Sequence, residues 1–159
     1  MKIRKSLLAA IMLSTLFFTT GCGEDPELTK FRNSFEEFCT DVAEIDSSIN
    51  NIDANAETAP TELLALLDQL EVEFQELAAL DVPEEFEYLT DLADEASENM
   101  SLAVENYHTA FESEIHDTYA ADIASQYYER AYKRIQYMIT FLHGEIPEDE
   151  NVSVEIVEE

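Results

Sequence analysis

LTKFRNSFEEFCTDVAEIDSSINNI, residues 28–52, is the stretch whose reading decides the fold. Its apolar members Leu28, Phe31, Phe35, Phe38, Val42, Ile45, Ile49 and Ile52 follow one another at steps of three and four. Such steps return to one side of an α-helix, so the stretch buries a stripe and leaves the rest in water. A half-buried strand would need apolar residues at every second position, and they are absent. Asp25, Pro26 and Glu27 in front of it read as an N-cap, a first-turn proline and an acid matched to the helix dipole. The Asn-rich stretch from Asn50 to Ala59 ends the helix.

The same spacing recurs downstream. A second helix starts near Pro60 with Leu63, Leu67, Leu70, Phe74 and Leu77 on its inner face, and stops around Asp81, Val82 and Pro83. A third places Phe86, Leu89, Ala93, Ala96, Met100, Ala103 and Tyr107 on one face, continued by Phe111 and Ile115 with a slight shift of face. Its alanines imply close approach to a neighbour. A break is expected between Asp117 and Ala121, where neither Gly nor Pro marks it, so an unbroken third and fourth helix is the competing arrangement. The fourth helix carries Ala124, Tyr128, Ala131, Ile135, Met138 and Leu142, widened by Tyr127, Tyr132, Ile139 and Phe141, and Gly144 is its C′ stop. Four amphipathic helices of roughly 22 to 33 residues with short connections predict an all-α, up-down-up-down four-helix bundle over residues 22–144. A three-helix or irregular bundle is the alternative. Residues 145–159 hold seven acids and no base, which predicts a disordered acidic tail.

The charge balance is extreme, with 36 acidic and 8 basic residues in 159. Lys2, Arg4 and Lys5 crowd the N-terminus, leaving five cations and a formal charge of −31 from Cys22 onward. Nucleic acid is excluded as a partner, because phosphate binding needs clustered Lys and Arg. Adsorption to anionic lipid is disfavoured on the same ground, so membrane contact needs another cause.

That cause lies in the first 22 residues. A cationic start at Lys2, Arg4 and Lys5 precedes a twelve-residue apolar run from Leu7 to Phe18, too short to span a bilayer and suited to a signal-peptide core. Thr19, Thr20, Gly21 and Cys22 follow. The segment resembles the lipobox of bacterial lipoproteins, with Thr19 where Leu is usual. The resemblance implies removal of residues 1–21, lipid attachment at Cys22, and an extracytoplasmic protein anchored to the cell membrane. The Val-Pro-Glu-Glu-Phe turn at 82–86 and the segment from Tyr127 to Ile135 are similar to small helical lipoproteins of anaerobic gram-positive bacteria, a group that implies no activity.

Candidate chemistry is sparse. Glu105, His108, Glu112 and His116 share roughly one side of the third helix, and Glu105-x-x-His108 resembles half of the di-iron motif of ferritin-like bundles. No second Glu-x-x-His occurs, and His108 directly follows the seam residue Tyr107, so a solvated face is expected and neither a metal nor a cofactor. Cys39 is left without a disulfide partner once Cys22 is lipidated and, beside Phe38, reads as a small buried apolar residue. No Gly-x-Ser-x-Gly or phosphate-cradling loop is present, so the chain is read as non-enzymatic.

One cluster departs from the acidic background. Tyr127, Arg130, Lys133 and Arg134, with Tyr128, Tyr132 and Tyr137 between and beyond them, combine aromatic faces with three of the five cations after Cys22. They form a candidate patch for a small anionic ligand or an envelope protein partner. The same residues would equally serve the fold, the cations pairing with acids of neighbouring helices and the tyrosines edging the core. A helical interaction module is the leading expectation, against a metal-handling or enzymatic bundle and a charge-bearing structural component.

Overall fold

The computed structural model describes residues 25–113 and 115–145. Cys22, the segment expected to be a signal peptide and the tail from residue 146 lie outside the described residues.

Among the described residues four helices follow in order, α1 (Pro26–Asn50), α2 (Ala59–Ala78), α3 (Tyr88–Glu112) and α4 (Thr118–Leu142), with a 3-10 turn at Glu84–Phe86. Long-range side-chain contacts fix the up-down-up-down order. At one end Lys30 of α1 pairs with Asp81 after α2 at 3.5 Å, and Tyr88 of α3 meets Phe141 of α4 with ring centroids 5.0 Å apart. At the other end Asp46 of α1 reaches Tyr128 and Tyr132 of α4, and His108 of α3 reaches Asp68 of α2. The all-α four-helix bundle is thereby established.

Each boundary has a local cause. Asp25 Oδ1 accepts the Glu27 N–H at 2.9 Å and Pro26 occupies the first turn. Asp117 Oδ1 accepts the N–H groups of Tyr119 at 3.0 Å and Ala120 at 3.1 Å, starting α4. At the end of α4, Gly144 sits at φ 76°, its N–H bonded to the Phe141 carbonyl at 2.8 Å while the Glu145 N–H reaches Thr140 at 3.1 Å. That pair of bonds is a Schellman stop, and its left-handed position favours glycine.

The core follows the expected seams. Phe31, Phe35, Phe38 and Val42 of α1 are buried, as are Leu67, Leu70, Phe74 and Leu77 of α2. The spacing between helices follows side-chain size. Ala93, Ala96 and Ala103 of α3 and Ala124 and Ala131 of α4 are all buried, and these two helices approach most closely. Between α1, α2 and α4 the filling is aromatic instead. Phe31, Phe35, Phe38, Phe74, Tyr132 and Tyr128 form a continuous ring ladder, with successive centroids 6.2, 6.0, 5.3, 5.7 and 4.7 Å apart. Small residues draw two helices together, and large ones hold α1 and α4 apart.

Several expectations are corrected. Leu64 is buried in α2 and Leu63 only partly so, because both lie one turn from Leu67 and the tighter contact falls to Leu64. Phe86 belongs to the 3-10 turn and not to α3, which is therefore shorter than expected. Ile115 does not extend the apolar face. α3 ends at Glu112, Ser113 turns extended at ψ 146°, and Ile115 stands 85% exposed. The break thus covers residues 113–117, a little before the expected Asp117 to Ala121, because the Asp117 cap starts α4 at once.

Candidate functional site

The patch on α4 begins from helical spacing. Arg130 and Arg134 are one turn apart, and the tyrosines at 127 and 137 flank them. Arg130 lies over the Tyr127 ring at 5.3 Å, and Lys133 and Arg134 lie over the Tyr137 ring at 5.6 and 5.7 Å. Each is a cation–π contact within the distance at which a ring quadrupole attracts a cation. The Arg134 guanidinium also forms an ion pair with Glu95 of α3. Arg134 therefore ties α4 to α3, while Arg130 is exposed.

The tyrosines beside this patch point to another task. Tyr132 donates to Asp46, its hydroxyl 2.8 Å from each carboxylate oxygen, and Tyr128 donates to Asp46 Oδ1 at 2.6 Å. The two hydroxyls are themselves 3.1 Å apart. Burial raises the Asp46 pKa, while the tyrosine hydrogen bonds oppose that rise. Burial likewise raises both tyrosines, and the neighbouring Asp46 charge adds to it. Beside them burial lifts Tyr107 to about 12, against a hydrogen bond with Ser125. The cluster is a clasp between α1 and α4 and holds its hydroxyls neutral.

The acids and histidines of α3 divide. His108 has Glu112 Oε1 at 2.9 Å from Nδ1 and Asp68 Oδ1 at 2.8 Å from Nε2. Carboxylate oxygens at both ring nitrogens favour the doubly protonated ring, which can donate from each. Hydrogen bonding to Asp68, then to Glu112, raises its pKa. An open groove of about 750 Å³ between α2 and α3 is lined by Asp68, Glu71, Glu98, Glu105, His108 and Glu112 among others. His116 has left this face: Nδ1 donates to the Ala110 carbonyl at 3.0 Å, and the ring lies 4.8 Å from that of Phe111. Among the described residues no group of three or more Cys, His, Asp or Glu side chains is placed to hold a metal ion.

Cys39 is buried, and burial, with Glu36 adding, pushes its thiol up to about 12. A thiol so raised stays protonated and unreactive at neutral pH. No helix of the described residues is long and apolar enough to cross a membrane.

Comparison with known protein families, curated proteins and solved structures finds no match.

The Asp46–Tyr128–Tyr132 clasp was missed from sequence. Asp46 sits next to the seam residue Ile45, and two tyrosines one turn apart on another helix are a visible donor pair. Their meeting depends on the register of α1 against α4, which spacing within one helix does not carry. His108 with Glu112 was legible as a one-turn pair, and Asp68 was not, for the same reason.

Proposed function

We propose that this chain is a membrane-anchored extracytoplasmic lipoprotein, non-enzymatic, whose helical bundle serves as an interaction module. The observation that carries the reading is the Lys2 to Cys22 pattern followed at once by the bundle, since α1 is capped by Asp25, three residues after Cys22. A tether so short holds the N-terminal end of α1 against the lipid surface and directs the opposite end away. Intact mass and detergent-phase partition of the native protein and of Cys22→Ala test this. Expected are a diacylglyceryl adduct on a chain starting at Cys22, and loss of detergent partition in the variant. An unmodified Cys22, or cleavage elsewhere, sinks the proposal.

The non-enzymatic part rests on the state of the reactive groups. Cys39 is buried and protonated, Asp46 is occupied by two tyrosines, and His108 is held between two carboxylates. Each serves the fold. A second reading, a small anionic ligand at Tyr127, Arg130, Lys133 and Arg134, is favoured by the exposed Arg130 lying over Tyr127. Arg130→Ala should then weaken inorganic phosphate binding seen by NMR titration, and its indifference would dismiss the site.

A further inference from the structure

We propose that the α3–α4 turn is a docking surface for a cationic protein segment carrying aliphatic anchors, with Ile115 and Tyr119 as the apolar contacts. This inference deepens the interaction-module reading by naming the face and the partner's chemistry. It does not depend on the lipid.

Ile115 is 85% exposed and Tyr119 is 74% exposed, the highest values of any large hydrophobic residue among those described. Hydrogen bonds and a ring contact surround Ile115. The Asp117 N–H donates to the Ala110 carbonyl at 3.1 Å, and His116 donates to the same carbonyl from its ring. The His116 ring rests on Phe111, and Asp117 caps the turn in which Tyr119 lies. His116 thus fills the inner side of the turn, and Ile115 is held outward. Two exposed large apolar side chains on either side of the Asp117 cap are the kind of feature that marks a contact surface.

Charge selects the occupant. Residues 33–129 contain no Lys or Arg, so acids dominate the charge of this end of the bundle, among them Asp53, Glu57, Glu62 and Asp122. Two copies joined at these tips would bring like charges together, which costs association energy. Anionic lipid is repelled on the same ground. A Lys-rich amphipathic segment gains from both features, its cations facing the acids and its aliphatic side chains meeting Ile115 and Tyr119.

The chain has no Trp, so Tyr119→Trp places a single reporter on the turn. The full chain carrying it is titrated with a synthetic amphipathic Lys/Leu peptide, a Lys/Ser peptide and a Glu/Leu peptide of equal length. Expected is a blue shift of Trp emission with Lys/Leu alone, weakened by salt. Adding Ile115→Ser should raise Kd about tenfold, the loss of one apolar hot spot. Val72→Ser, at an exposed position on α2, should leave Kd unchanged. Unaltered melting temperatures keep folding out of the comparison. Lys/Leu binding that ignores Ile115→Ser overturns the tip while leaving an interaction module elsewhere. Equal binding of Lys/Ser or Glu/Leu, or absence of binding, also overturns it. So do sedimentation of Ile115-dependent dimers and Ile115-dependent flotation with phosphatidylcholine vesicles, which would assign the face to a second copy or to lipid. Mass analysis of Cys22 is untouched by any of these outcomes.

Discussion

The Tyr132 hydroxyl stands 2.8 Å from both carboxylate oxygens of Asp46, joining residues 86 positions apart in sequence. Tyr128 shares the same acceptor, so one acid of α1 is held by two phenols of α4. With α1 and α4 separated by aromatic side chains, this polar contact sets their register more than backbone proximity does.

Removing the donor should therefore cost stability. Tyr132→Phe is expected to lose about 1–2 kcal/mol, as a hydrogen bond to a charged acceptor disappears. Asp46→Ala strands two hydroxyls and should cost about 1–3 kcal/mol, with Asp46→Asn milder because one acceptor oxygen remains. Tyr119→Phe, on the exposed turn, should stay within about 0.5 kcal/mol. Urea unfolding decides, and equal midpoints for Tyr132→Phe and Tyr119→Phe would remove the clasp from the account.

Stability should fall as pH rises. Asp46 is raised above 3.8 by burial, and Glu73 above 4.5 by burial and then by repulsion from Asp41, Glu76 and Glu37. His108 is raised above 6.5 by hydrogen bonds to Asp68 and Glu112. In each the folded chain holds its proton more tightly than the unfolded chain does. The stabilisation is complete below those ordinary values and is lost as pH rises through the raised ones. Melting temperature should decline as pH rises past these ordinary values, and His108→Gln should flatten the part of that slope above 6.5. Salt should raise the melting temperature by screening the acids around Glu73. A curve flat in pH for both proteins would contradict these assignments.

Cys39 should react only through unfolding. In a Cys22→Ala background it is the single thiol, and burial keeps it protonated. Labelling by a disulfide reagent should be slow in buffer, complete in urea, and accelerated by Asp46→Ala in step with lost stability. Prompt stoichiometric labelling of the native protein would mean that this part of α1 opens freely.

The alanine-lined contact between α3 and α4 should reject bulk. Ala103→Leu or Ala131→Leu, both at fully buried positions, should destabilise by about 1–3 kcal/mol through overpacking. Ala65→Leu, on the exposed side of α2, should change stability by less than about 0.5 kcal/mol. Thermal unfolding of the three variants tests the difference, and a neutral Ala103→Leu would show slack between the helices.

How far the fold could be read in advance follows from what each signal encodes. The eight apolar residues from Leu28 to Ile52 define a buried face without reference to any partner, so α1 and its inner residues were legible. Leu63 and Leu64 were harder, because two adjacent leucines both lie one turn from Leu67 and only the neighbouring helix chooses between them. The end of α3 at Glu112 carries no Gly or Pro, and its cause is the bonding of Asp117 and His116 back to Ala110, a contact made after the chain has turned. The candidate patch was legible as composition. Its engagement was not, since Glu95 and Asp46 come from helices whose register is set by packing as a whole.

The arrangement of α1 also has a mechanical consequence. Any pull on the N-terminus enters the structure at Pro26, in the helix joined to its neighbours mainly by phenyl rings and by the Asp46 clasp. α3 and α4, locked by close alanine contact, lie away from that load. Tension at the N-terminus would peel α1 from its first turn toward Asp46 before disturbing the α3–α4 pair. The two tyrosines then act as a stop near the far end of the peeling path, and the α3–α4 pair stays together while α1 yields.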